Sequence, residues 1–126
     1  MSTTEVNVLD LAYQARGDLR SAQFHLVEFV ADRTVQVCSA TTAIACGILQ
    51  NTPKSGESAL VRHFGVSKVH VMSGMVGKFI APTATGEGNS LTTPISGQYV
   101  IGMCIDGVTS GSLASVIVPA PVQHFG

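Results

Sequence analysis

The sequence predicts an all-β fold: one small β-sandwich or β-barrel-like domain of about seven strands, with an extended N-terminal arm. Three observations carry this. From residue 23 onward, short runs rich in β-branched and aromatic residues alternate apolar with polar side chains. Turn signals separate these runs about every 8–12 residues, the spacing of a sandwich or barrel. No stretch after residue 20 sustains a 3.6-residue period over three turns. The 13 glycines fit the same reading, because tight turns and bulges need positive φ.

Residues 1–20 are read as the arm and residues 21–126 as the β-rich domain. The arm carries Glu5, Asp10, Arg16, Asp18 and Arg20 beside the apolar Val6, Val8, Leu9, Leu11 and Tyr13. Val6 and Val8 alternate as in a strand, whereas Leu9 and Tyr13 stand at helical spacing, so the pattern commits to neither. Two readings fit. One is an arm that docks through Val6, Val8, Leu9, Leu11 and Tyr13 on a neighbouring subunit, adding a strand to an exposed sheet edge. The other is a loose terminus, the usual state of a chain end that nothing ties down.

The domain then reads strand by strand. Residues 23–30 (QFHLVEFV) end at an Asp32-Arg33 turn, and residues 34–38 (TVQVC) alternate about Val35 and Val37. Residues 43–49 make a short strand around Gly47, followed by a compact turn at residues 51–56 (NTPKSG). Residues 58–64 and 67–72 are read as two strands separated by Gly65. Residues 85–90 (TGEGNS) form a loop. Residues 98–105 and 113–118 close the domain, joined through residues 107–111.

Composition narrows the function. Charged residues make up 12% of the 126, about half the usual share of roughly 25%. The formal net charge of −1 leaves no basic footprint for nucleic acid. Mean hydropathy is +0.35, yet no apolar run reaches the ~18 residues of a spanning helix, and the N-terminus lacks the charged and apolar regions of a signal peptide. No membrane partner is therefore expected. With no Trp and 6% aromatic residues, sugar- or base-stacking platforms are scarce. Cys38, Cys46 and Cys104 lack CxxC spacing and read as small buried hydrophobes in a protein made in a reducing cytosol.

The chemistry-bearing residues form no constellation. His63 and His70 would face each other across a hairpin centred on Val66-Ser67. Two ligands are too few for zinc unless Cys46 or His25 joins them. GxSxG is absent, so a nucleophile elbow is not expected. Glu28 would have a raised pKa only if it turned inward, and alternation points it to solvent. The 85–90 loop lacks the Gly-Lys-Ser/Thr ending of a phosphate-binding loop. Arg16-Gly17-Asp18 spells an integrin tripeptide, which arises easily by chance. The expectation is a non-enzyme with no catalytic residue, no cofactor and no metal.

Several stretches do carry a resemblance. Gly47-Ile-Leu-Gln-Asn-Thr-Pro53-Lys-Ser-Gly56-Glu57 is followed by an apolar strand and Gly65-Val-Ser-Lys-Val69. Before it, Asp18-Leu19 leads into Gln23-Phe24-His25-Leu26-Val27 and the Val35–Val37 strand. After it come Gly77-Lys78-Phe79-Ile80, a Gly-rich loop, and Val100-Ile101-Gly102. Over roughly residues 18–119 the sequence resembles the small capsid decoration (cement) proteins of tailed bacteriophages. The motifs are turns and alternation rather than chemistry. The resemblance implies a β-rich virion protein that binds the outer surface of a phage capsid, often as a trimer at local three-fold positions, and supplies no catalytic residues. The implied partners are the major capsid protein and further copies of the chain, on a particle assembled in the host cytoplasm. Sparse charge independently fits a surface largely taken up by partners. Two other readings stay open: a glycan- or receptor-binding β-module, and another accessory subunit of a phage head or tail.

Overall fold

The computed structural model describes residues 8–73, 76–91, 99–106 and 112–118. Nine strands run through these residues: β1 (Leu9–Ala15), β2 (Leu26–Ala31), β3 (Thr34–Val37), β4 (Gly47–Leu49), β5 (Ser58–Ser73), β6 (Phe79–Pro82), β7 (Gly88–Leu91), β8 (Gly102–Asp106) and β9 (Ser112–Val118). No described residue is helical, and no helix is long and apolar enough to cross a membrane. The all-β class stands.

The strands close into two five-stranded rings. In the first, β1 pairs in parallel with β3, and antiparallel pairings then run β3–β2–β4–β5 and back from β5 to β1. In the second, β5 pairs in parallel with β7, followed by antiparallel β7–β6–β8–β9 and a return from β9 to β5. Strand β5 belongs to both. Its first half, up to Phe64, pairs with β1, and its second half, from Gly65, pairs with β9.

The two strands expected at residues 58–64 and 67–72 are therefore one strand of 16 residues. Gly65 has φ of +113°. It carries the chain from one ring to the next rather than reversing it, and glycine tolerates that backbone setting where other residues are strained. Residues 9–15, expected within an arm, form instead a wall strand of the first ring, with Asp10 to Gln14 matched to Arg62 to Ser58. Arg16, Gly17, Asp18 and Arg20 follow it as exposed chain. Val6 lies outside the described residues. Strands β6 and β7 escaped the sequence reading because each has four residues and β7 (GNSL) shows no apolar alternation.

The rings repeat one topology register for register. Val27 of β2 pairs with Gly47 of β4, and Ile80 of β6 pairs with Gly102 of β8. Ile48 faces Arg62 as Met103 faces Ile117. The Phe24 amide donates to the Leu49 carbonyl as the Gly77 amide donates to the Cys104 carbonyl. Backbone conformation follows the same correspondence. Phe24 (φ +67°) matches Gly77 (φ +80°), and Arg33 (φ +52°) matches Gly86 (φ +84°). Two non-glycine residues thus hold left-handed positions that glycine holds in the other ring, at a cost of about 1–3 kcal/mol each.

Each ring has an apolar filling. Inward-facing Val27, Val35, Leu49, Ala59 and Val61 fill the first, with Leu19 and Ala22 packed beneath them. Val69, Val71, Ile80, Cys104, Ala114 and Val116 fill the second. The rings are stacked rather than strung. Leu26, Cys38, Ala43 and Ile48 leave the first ring and pack into the second core. Two backbone bonds splice the junction: the His70 amide donates to the Phe24 carbonyl (3.0 Å), and the Leu26 amide donates to the Gly86 carbonyl (2.8 Å). Gly86 lies so close to Val37 that a Cβ there would overlap its methyl group.

Candidate interaction surface

Strand alternation divides β5 into two faces. Ala59, Val61, Ser67, Val69 and Val71 point into the rings, while Leu60, Arg62, Phe64, Val66 and Lys68 point out. Along the outer face Phe64 stands opposite Leu9, and Val66 stands opposite Ile117. All four are exposed, Phe64 at 51% and Leu9 at 47%. Ile105, at the register shift of β8, is exposed as well. Scattered surface apolar residues need no explanation, but facing exposed apolar pairs across β1, β5 and β9 make this face the candidate interaction surface.

A charged clamp borders these pairs. Arg62 makes a bidentate pair with Asp10 (Nε–Oδ1 2.8 Å, Nη2–Oδ2 2.9 Å) and donates from Nη1 to the Val66 carbonyl (2.8 Å). The hydrogen bonds from Arg62 hold the Asp10 carboxyl below the usual carboxylate value, although partial burial opposes them. Both side chains are about one-fifth exposed, so the pair is less screened than a surface bridge. The sign of its pH dependence follows. A carboxylate with a depressed folded-state pKa contributes stability above its unfolded value of 3.8 and loses it as pH falls through the lower folded value. Between pH 6 and pH 3 the melting temperature of the wild type is expected to fall further than that of Asp10→Asn, which lacks this contribution throughout; equal slopes in thermal scans would contradict it. Asp18, fully exposed and held at about 2 by Arg20, titrates alike in both proteins.

The second cluster lies where β1 meets the hairpin between β2 and β3. The Tyr13 hydroxyl bonds to His63 Nε2 (2.7 Å), and His63 Nδ1 bonds to the Cys46 carbonyl (2.8 Å). A carbonyl only accepts, so Nδ1 carries the proton, and in the neutral ring Nε2 accepts from the tyrosine. Burial pushes the Tyr13 phenol up, which keeps it a donor. Phe29 packs edge-on against Tyr13 with centroids 5.0 Å apart, and the Arg33 guanidinium lies 5.8 Å from the Tyr13 ring centre. An open depression of about 450 Å³ adjoins them, lined by Ala12, Tyr13, Gln14, Arg33, Glu57 and Ser58. This cluster fixes the orientation of the Tyr13 and His63 rings.

The structure distributes the sequence candidates as follows. Val8, Leu9 and Leu11 are exposed, and Tyr13 is half-buried in the His63 cluster. His63 and His70 do not face each other, because no hairpin separates them: they lie on one strand, His63 on its inner side and His70 on its outer side. His70 lies instead against His25, with ring centroids 4.9 Å apart. Among the described residues no three His, Cys, Asp or Glu side chains come together as a metal site. Glu28 accepts from Gln36 Nε2 (3.1 Å). Burial raises all three thiols, Cys38 and Cys46 to about 12, so none is a reactive thiolate at neutral pH. Phe29, Arg33, Phe64, Val66 and Ile117 were not singled out from sequence. Their apolar and turn patterns are visible there, but nothing local shows which face of a strand stays uncovered.

No protein-family model matches the chain, and no curated protein matches it. Among solved structures the fold is similar to that of the N base of head fiber gp8.5 from bacteriophage phi29. The TM-score is 0.67 at 14% sequence identity, over 94% of this chain and 100% of that one. At that identity the two proteins share their fold.

Proposed function

We propose that this chain is a structural accessory protein of a phage head, binding the outside of the capsid and stabilising it by bridging capsomers as a homotrimer. The observation that carries the reading is the fold shared over 94% of its length with the phi29 head fiber base. The decoration-protein resemblance of residues 18–119 supports it independently, and the exposed row Leu9, Phe64, Val66 and Ile117 supplies a docking face. The area is sufficient. Three contacts of about 800 Å² each would take over a third of the 6446 Å² that the chain exposes. Repetition over a shell makes modest contacts add up. The major capsid protein is the partner in this reading, and the capsid exterior is the location.

Co-sedimentation with undecorated heads tests it. Wild-type protein is expected to pellet with the heads. Phe64→Lys, which keeps an outward-facing strand position but places a charge in the apolar row, is expected to stay in the supernatant while keeping its melting temperature. Wild type that fails to pellet overturns the attachment. Light scattering at micromolar concentration on protein released from heads tests the trimer, and a 13 kDa species counts against it. Deleting residues 2–14 is a poor test, because it removes β1 from the wall of the first ring.

A further inference from the structure

We propose that the open edge of β1 at Asp10–Ala12 accepts an extended segment of the capsid protein by strand addition, with an acidic residue of that segment meeting Arg33. The proposal rests on the head-binding reading and specifies how the contact is made.

The edge is open because of where the first ring closes. The Ala15 amide donates to Glu57 on the β5 side, whereas the Gln14 and Arg16 amides donate to Arg33 and Val35 on the β3 side. Successive residues of a strand point their backbone groups to opposite edges, so Asp10 and Ala12 point the same way as Gln14. Among the described residues no strand meets them at their level, and Ala12 is exposed. Strand β3 begins at Thr34 opposite Gln14, and the Asp32-Arg33 turn ends the hairpin there. An exposed strand edge is a template for another chain.

The second ring shows how such an edge is filled. His70 of β5 occupies the station that Gln14 holds in β1. Its amide does not reach the Gly86 turn directly, as Gln14 reaches Arg33. It bonds to the carbonyl of Phe24, two residues before Leu26, whose own amide goes to Gly86. A stretch of extended chain is thus laid between strand and turn, with Leu26 fully buried. Ser67 is buried with its hydroxyl accepting from Gln50 Nε2 (2.8 Å), and Val69 packs in the same core as Leu26. Their counterparts in the first ring are Leu11 and Tyr13, and Leu11 remains 43% exposed, with Phe29 beside them at 48%.

The occupant follows from these surroundings. Apolar side chains on alternate residues would cover Leu11 and Phe29, as Leu26 packs into the second core. Arg33 faces the open depression over Tyr13 with no ion pair among the described residues, while Glu57 on the same lining accepts from the Lys54 amide (2.7 Å), so an acidic side chain at the end of the added segment would pair with Arg33. Asp10 on the opposite face of β1 is already neutralised by Arg62 and does not repel that acid.

The test uses wild type, Ala12→Pro and Arg33→Gly on undecorated heads, read by co-sedimentation and by hydrogen exchange over residues 9–13. Proline at Ala12 removes the outward amide without touching the β5 ladder. It is expected to weaken attachment about tenfold, the loss of one main-chain hydrogen bond. Arg33→Gly relieves a left-handed non-glycine residue, so it is expected to melt higher yet also to bind about tenfold more weakly; this variant decides the matter if Ala12→Pro misfolds. Wild type on heads is expected to show slowed exchange over residues 9–13. Wild type that pellets without that protection, with Arg33→Gly pelleting equally well, overturns the strand addition and leaves head binding standing. Concentration-dependent protection in free protein assigns the edge to a second copy instead and likewise overturns it. If wild type does not pellet, both readings fall.

Discussion

Gly102→Ala is expected to lose about 3 kcal/mol or more of stability, read as a large fall in its urea midpoint. A Cβ at Gly102 would overlap the Ile117 carbonyl and come within 2.7 Å of a Val116 methyl. The carbonyl belongs to the backbone of β9, so relief requires β8 and β9 to separate, and β8 is the strand through which the second ring closes. Overpacking against side chains typically costs about 1–3 kcal/mol; with backbone as the obstacle the expected loss is at the top of that range, about 3 kcal/mol or more. That is a large part of the roughly 5–15 kcal/mol stability of a domain this size. Gly47→Ala should behave alike, because its Cβ would stand 2.5 Å from Val61 Cγ1 and 2.6 Å from the Arg62 carbonyl. Gly56→Ala serves as the control. Its φ of +85° is unfavourable for alanine, but nothing lies within 4 Å, so about 1 kcal/mol is expected. Urea midpoints check all three, and a Gly102→Ala midpoint within the range of Gly56→Ala would show that the rings yield where they are described as tight.

Leu26→Ala is expected to cost about 3 kcal/mol and to loosen the junction between the rings. Leu26 is completely buried, starts β2 of the first ring and packs into the core of the second. Truncation removes apolar contacts and leaves a cavity that two closed rings collapse into poorly, which puts it in the usual range of about 2–5 kcal/mol for buried Leu→Ala. The spliced bonds localise the damage. The His70 amide depends on the Phe24 carbonyl being held in place, so its exchange should accelerate more than that of the Ala15 amide, bonded to Glu57 at the far end of the first ring. A uniform acceleration would mean that the rings unfold as one unit and that the junction has no separate weakness.

Strand character was legible in part: Leu9, Leu11, Tyr13 and Ala15 alternate along all of β1, but the helical spacing of Leu9 and Tyr13 masked it. Val35 and Val37, the QFHLVEFV run and residues 113–118 all announce themselves, because a period of two is a local property of the chain. Residues 79–82 and 88–91 are too short and too polar for that signal. Gly65 misled in a different way. A glycine between two apolar runs reads as a turn, and the same freedom of φ that makes turns also lets a strand pass from one sheet to the next. The aromatic cluster of Tyr13, Phe29 and His63 was out of reach, since Tyr13 and His63 are fifty positions apart in the chain.

The repeat was hidden for a similar reason. Matched stations hold Phe24 and Gly77, Arg33 and Gly86, Leu11 and Ser67, Tyr13 and Val69, which share no side-chain chemistry. What is conserved between the rings is hydrogen-bond register and the sign of φ, and register forms only when distant segments meet.

By itself the sequence determined that this protein is all-β, sparsely charged and built from short alternating strands, because composition and a two-residue period are written locally. Only the tertiary structure decided that the strands close into two rings sharing β5, that residues 9–15 are a wall with one edge left open, and that Leu9, Phe64, Val66 and Ile117 lie side by side on the surface. Those outcomes depend on which strand finds which partner, and the burial of a residue is settled by what its neighbours cover rather than by its own side chain.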